Sequence, residues 1–230
     1  NVPIKVMNIT KEYMEIVKNP KHPRGRNMNP CIDCRIFTFK KAKEFMEEIG
    51  ASFVITGEVV GQRPMSQRRQ AIITIEKESG LNGLIVRPLS AKFFEPTLPE
   101  KAGIIDREKL LDIDGRRRTR QMALAKAIGI NDYPCPAGGC LLTDKSFSDR
   151  LKDLLKYNPD YDISGLHLLK IGRHFRISDN LKFIVGRDEK ENERLMGFSK
   201  EGDFIFDIMD IPSAVGLARS SEASPSTLLG

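Results

Sequence analysis

Four cysteines in 230 residues carry the most reactive chemistry in this sequence. Cys31 and Cys34 form a Cys-x-x-Cys pair at the start of a helix-forming run, where unpaired N–H groups and the helix dipole stabilise anions and favour thiolates. Cys140 follows Gly138-Gly139, whose missing side chains allow close backbone approach and leave the sulfur accessible, and Cys135 lies between Pro134 and Pro136. Thiolates serve as metal ligands or nucleophiles, and three arrangements are open. A tetrahedral zinc site could use all four sulfurs, although its second spacing, Cys-x4-Cys, is longer than the common knuckle. An iron–sulfur cluster could be held by Cys31, Cys34 and Cys140, with one iron open. A redox pair, Cys34 and Cys140, could carry a persulfide and resolve it as a disulfide. In the last two, Cys135 is an inert thiol in a proline-bound turn.

The elements around these residues follow from pattern. Val2-Pro-Ile-Lys-Val-Met7 alternates as a strand does, and Thr10 opens a helix with Tyr13, Met14, Ile16 and Val17 on one face. The helix that starts at the cysteine pair runs to about Ile49, buries Phe39, Ala42, Met46 and Ile49, and stops at Gly50. Ala51–Thr56 reads as a buried strand, a helix closed by Gly80 follows, and Leu84–Pro88 is the next strand. This alternation predicts an α/β fold, a parallel sheet with helices on both faces, over residues 1–100, with ligands at the carboxyl ends of the strands, where Gly57–Gln62 and Arg87–Leu89 lie. Asp106 and Asp114 are candidate caps of two helices, the second ending at Gly129, in a helical extension over 101–160 that carries the later cysteines. Strand-like runs at 166–171, 181–185 and 203–208 predict a small α+β domain over 161–218, and the Ser-rich 219–230 reads as a flexible tail.

The net charge of +6 comes from 37 Lys+Arg against 31 Asp+Glu, and the basic residues are clustered. Lys18, Lys21, Arg24 and Arg26 form one group, Arg63, Arg68 and Arg69 a second, Arg116, Arg117, Arg118 and Arg120 a third, and Lys170, Arg173, His174 and Arg176 a fourth. A polyanion such as RNA is the natural partner, with Arg63, Arg68, Arg69, Arg173 and Arg176 as candidate phosphate contacts and Phe175 as a residue that could stack a base. The other reading of each cluster is a solvated face. No apolar run approaches the roughly 20 residues that span a bilayer, and no secretory pattern opens the chain, so a soluble cytoplasmic protein is expected.

Cys31-Ile-Asp-Cys34-Arg-Ile-Phe-Thr-Phe-Lys-Lys-Ala, then Ile55-Thr-Gly-Glu-Val-Val-Gly-Gln62 with Ser66-Gln67, then Arg87-Pro-Leu89 together resemble the PP-loop ATPase (adenine nucleotide alpha hydrolase-like) domain of archaeal-type 4-thiouridine synthases over roughly residues 1–140. More distantly, Asn29, Pro30 and Cys34 are similar to the Asn-Pro-x-x-x-Cys motif of 2-thiouridylases. The resemblance implies an ATP-dependent tRNA sulfurtransferase. ATP and Mg²⁺ adenylate a uridine carbonyl oxygen, a sulfur nucleophile displaces AMP, and a separate donor, sulfide or a persulfide carrier, supplies the sulfur. It further implies Cys34 and Cys140 as catalytic residues, Cys31, Cys34 and Cys140 as ligands of a [4Fe–4S] cluster, and Gly57, Glu58, Gly61 and Gln62 around the nucleotide. From the residues alone, Glu58 could equally be a loop carboxylate paired with an arginine.

Lys170-Ile-Gly-Arg-His-Phe175 and Ile184-Val-Gly-Arg-Asp-Glu-Lys-Glu-Asn192 resemble the RNA-binding module of ribosome-quality-control proteins. The phosphate loop of the PP-loop family, Ser-Gly-Gly-x-Asp-Ser, does not occur here, so the chain is expected to begin past it, roughly 40–60 residues into the fold, or to descend from an ATP-independent branch. The competing reading is a non-catalytic RNA-binding protein with a structural zinc site of four cysteines. A homodimer is among the oligomeric states left open.

Overall fold

Residues 3–9 approach the first helix without regular structure in this computed structural model, which describes residues 3–133, 139–211 and 213–220. The expected opening strand is absent among them: Ile4 and Val6 alternate as a strand would but are exposed, because no neighbouring strand offers a ladder of hydrogen bonds or a surface to cover them. The chain divides into two compact units, Asn1–Cys140 and Leu141–Gly230.

In the first unit, α1 (Thr10–Lys18) buries Met14 and Val17, and Arg24 closes it by donating to the carbonyls of Val17 (2.6 Å) and Lys18 (2.9 Å). The next helix, α2 (Cys31–Glu48), buries Ile36, Phe39 and Met46 and ends at Gly50, whose φ of 67° is the left-handed stop that glycine adopts without strain. The strand β1 (Val54–Ile55), the helix α3 (Arg69–Ser79) and the strand β2 (Ile85–Val86) follow. The two strands are parallel, with Val54 opposite Ile85 and Ile55 opposite Val86. Both are two residues long, shorter than the pattern suggests, since only Ile85 and Val86 of the apolar run are fully buried.

Side-chain alternation decides what each face of this pair meets. Ile85 packs with Ile36, Phe39 and Met46 of α2, Ile75 of α3 and Leu81 just beyond it, whereas Val86 packs with Ala91, Leu110, Phe53 and Ile105 on the other face. Beyond the sheet, Asp106 caps a 3₁₀ turn (Arg107–Lys109) instead of a full helix. After the short α4 (Leu98–Lys101), α5 (Thr119–Ala127) starts at Thr119 and not near Asp114, because Asp114 is held in a bridge with Val60.

The second unit opens with α6 (Lys145–Tyr157), where Asp144 accepts from the Phe147 N–H (2.7 Å) and Leu151 and Leu154 are buried. Residues 166–171, expected as strand, belong to α7 (Ile163–Leu168) and the turn after it; Asp162 caps this helix by accepting from the Gly165 N–H (2.7 Å). An apolar run this short fits either period, and the cap decides it. The strands β3 (Arg173–Arg176) and β4 (Leu181–Val185), the helix α8 (Glu189–Gly197), and the strands β5 (Asp203–Phe206) and β6 (Gly216–Ser220) complete the unit. The sheet is antiparallel with spatial order β3-β4-β6-β5. One face packs Ile184 and Leu217 onto Leu168, Ile171 and Leu195.

Candidate functional site

The loop between α1 and α2 is pinned by its own polar side chains. Asp33, in the first turn of α2, accepts from the His22 backbone N–H (2.9 Å) and lies 2.9 Å from His22 Nδ1, while His22 Nε2 lies 3.2 Å from Glu78 on α3. Gly25 N–H closes the loop onto the Asn29 carbonyl (2.8 Å), so Met28, Asn29 and Pro30 are buried just ahead of the cysteine pair.

Onto this pinned entry converge the three described cysteines. The Cys140 thiol lies 3.8 Å from Asn29 Oδ1, to which it can donate across 111 residues of sequence. The Tyr13 hydroxyl is pushed up from its ordinary range, first by burial and then by its hydrogen bond with Cys34 and by the nearness of Cys34, Cys140 and Cys31. One phenol therefore senses all three sulfurs, and no disulfide joins them. Among the described residues no group of three His, Cys, Asp or Glu side chains is set to hold a single metal ion. Cys135, the fourth ligand of the zinc arrangement, and Gly138 lie outside the described residues. Tyr13 and Asn29 are the participants that sequence reasoning missed: Tyr13 read as part of an apolar stripe, Asn29 only as part of a motif, and no local signal joins either to Cys140.

At the carboxyl end of β1, Glu58 is 3% exposed and both its oxygens are taken. Arg35 donates to Oε1 through Nη2 (2.5 Å) and Nε (2.9 Å), and Arg87 donates to Oε2 through Nε (3.1 Å). Arg87, also 3% exposed, is further paired with Glu76 on α3. The cluster ties α2, α3 and both strand ends together. Next to it, Gly61 takes a φ of 73°, donates to the Gln67 carbonyl (2.7 Å) and lies beside Gly115, where a Cβ would stand 3.5 Å from the Gly115 nitrogen. Gly57 is open to solvent on the side a Cβ would occupy. Gln62 Nε2, Gln67 Oε1 and Arg87 Nη2 are buried without a partner among the described residues.

The candidate phosphate contacts divide by environment. Arg63, Arg68 and Arg69 are exposed, with no side-chain ion pair among the described residues, and Arg173 is likewise exposed on β3. Arg176 is committed: it grips Asp153 through Nε (3.0 Å) and Nη2 (2.7 Å), with Lys182 adding a third bond to the same carboxylate (2.6 Å). Burial alone would raise Asp153, but these two cations outweigh it and bring it down to about 2. Beside them His174 is held down to about 4, first by burial and then by Lys182. Its Nε2 faces the carbonyls of Ile171 (2.8 Å) and Leu168 (3.2 Å), whereas Nδ1 is buried with no acceptor among the described residues, so the neutral ring with its proton on Nε2 is the form that fits. On α8, Glu191 is brought down to about 2, chiefly by hydrogen bonding with Arg187, and it also accepts from the Gly172 N–H (3.1 Å).

Residues 172–228 match the NFACT protein RNA binding domain. That span takes in every strand of the second unit. No curated protein and no solved structure matches the chain.

Proposed function

We propose that the chain is an RNA-directed sulfur-transfer protein, in which the first unit supplies the thiols for converting a tRNA uridine to thiouridine and the second unit binds the RNA. The RNA-binding half is supported by the family match over residues 172–228. The observation that carries the sulfur chemistry is that the Tyr13 hydroxyl, hydrogen-bonded with Cys34, also lies near Cys31 and Cys140, while the Cys140 thiol reaches Asn29 Oδ1.

In this reading Cys34 and Cys140 are the catalytic pair, with Cys31 one helical turn from Cys34. Three soft sulfur donors would be the ligands of the [4Fe–4S] cluster that the family resemblance implies, and a zinc site that also takes Cys135 is the alternative. Such a cluster would offer an open iron for binding incoming sulfide. Tyr13 would then act as a fixed hydrogen-bond donor to sulfur, since its proton stays on throughout the range in which thiols ionise. ATP with Mg²⁺ would activate the uridine oxygen as a leaving group. Of the four residues expected around that nucleotide, Gln62 keeps a buried N–H without a partner among the described residues, whereas both Glu58 oxygens already accept from arginines.

The test is tRNA thiolation measured by mass spectrometry of digested nucleosides, with ATP, sulfide and a polypeptide bearing the Ser-Gly-Gly-x-Asp-Ser loop. Thiouridine should form with the wild type and vanish with Cys34→Ser or Cys140→Ser. Iron and acid-labile sulfide in the anaerobically isolated protein give an independent reading of the same site. A yield unchanged by both substitutions sinks the proposal.

A further inference from the structure

The sheet of the second unit has a second face that the apolar core does not use. The pairings Phe175 with Phe183, Phe183 with Ala218, and Phe204 with Ala218 put three phenylalanines in one row across the four strands. Phe206, opposite Gly216, joins the same face one row along, and Arg173, opposite Val185, lies at the other end of that row. Alternation along each strand keeps Ile184 and Leu217 on the opposite, packed face.

This aromatic face is built in detail and left open. Phe175 and Phe206 are each 47% exposed, an uncommon state for a large ring. Phe183 and Phe206 meet edge to face with centroids 5.5 Å apart. Gly216 makes that contact possible: a Cβ there would stand 2.4 Å from the Phe183 ring, so only glycine lets the ring lie down across the central strand. Neighbouring strands are about 4.8 Å apart, which spaces Phe175 and Phe204 across roughly 14 Å, enough for two or three unpaired bases.

We infer that this face is a stacking platform for single-stranded RNA, with unpaired bases lying on the rings of Phe175, Phe183 and Phe206 and Arg173 meeting the adjoining phosphate. The inference rests on the RNA-binding reading of this unit and specifies its mode: bases are held by their π-faces, so unpaired nucleotides are preferred to duplex and sequence preference is slight. The partner follows from this combination of groups. Exposed rings beside an exposed arginine suit an anionic polymer of flat bases, and the matched RNA-binding segment contains all four strands. A purely apolar protein partner would leave Arg173 without a counterpart.

Fluorescence anisotropy with the full chain tests this, using a labelled unstructured 12-nucleotide RNA and a fully paired duplex of the same length. The wild type should bind the single strand more tightly. Phe175→Leu with Phe206→Leu keeps apolar bulk but removes both exposed rings, and should weaken single-strand binding roughly tenfold or more while leaving duplex binding unchanged. Because the chain has no tryptophan, Phe206→Trp provides a single tryptophan, excited selectively over the four tyrosines, whose emission should be quenched when the single strand binds. Single-strand binding within twofold of wild type in the double variant, or no quenching of the tryptophan at saturation, overturns the platform and leaves RNA binding standing. Failure of the wild type to bind either RNA overturns the RNA-binding reading itself.

Discussion

Lowering the pH from 7 to 5 should destabilise the second unit through one side chain, His174. Its ring is neutral in the folded state, with Nε2–H directed at two carbonyls and Nδ1 buried without an acceptor, near Lys182 and Arg150. Protonation would add an N–H with nowhere to point and a charge beside two cations. The folded value of about 4 lies below the unfolded value of 6.5, so the unfolded chain takes up the proton first as pH falls. The stability due to neutral His174 is therefore complete above about pH 6.5, is lost on descending toward pH 4, and changes no further below that. Linkage puts the loss between pH 7 and pH 5 at about 2 kcal/mol, or a urea midpoint lower by roughly 1.5 M for a unit of this size. Asp153 and Glu191, both at about 2 when folded, lose their contribution only in more acid solution, so the two windows separate. The assay is urea unfolding at the two pH values, for wild type and His174→Gln, whose amide can still donate to the same carbonyls. The variant should show less than about 0.5 kcal/mol of this loss. With only three histidines in the chain, the ring resonance of His174 can be followed directly by NMR. A midpoint at pH 6 or above, or an equal loss in the variant, refutes the reasoning.

Glu58→Gln should lower the stability of the first unit by about 3 kcal/mol, because it removes the buried negative charge that Arg35 and Arg87 share and leaves Arg87 only its pair with Glu76; thermal denaturation should show a drop of roughly 10 °C, and Glu58→Gln with Arg87→Met should recover part of it. Gly172→Ala should cost more than about 3 kcal/mol, since φ is 69° and the new Cβ would stand 2.5 Å from the Val185 carbonyl oxygen, and it should abolish the second unit's cooperative unfolding transition. Replacing Arg63, Arg68 and Arg69 with Gln should reduce the slope of log affinity against log salt for tRNA by about two to three if all three neutralise phosphates, with no change in thermal stability.

What could be read from the sequence was local. The helices of Cys31–Glu48 and Arg69–Ser79 announce themselves by a 3.6-residue apolar period and a left-handed glycine just past the end, and the structure keeps both. The charged helix Glu189–Gly197 escaped because Leu195 is its one buried apolar residue; its Asp188 cap was a usable signal that the glycine-arginine pattern obscured. Strand Gly216–Ser220 was missed because Gly216 and Ala218 are buried by neighbouring rings and not by their own size. At the thiol site the cysteines were legible as types and spacings, but Tyr13 and Asn29 reach Cys140 only through folding, at separations no periodicity records. The ion cluster at Glu58 has the same character, its partners lying 23 and 29 residues away.

The strand order β3-β4-β6-β5 has a consequence for handling the protein. Its two outermost strands, β3 and β5, each pair with one neighbour only, which leaves one row of backbone donors and acceptors on each without a partner strand among the described residues. On β3 the exposed Arg173 would set a like charge against an incoming copy. On β5 Ile205 and Phe206 are exposed and Ile208 and Met209 follow them, so concentrated samples should associate along that margin first, and a lysine in place of Ile205 is the simplest remedy.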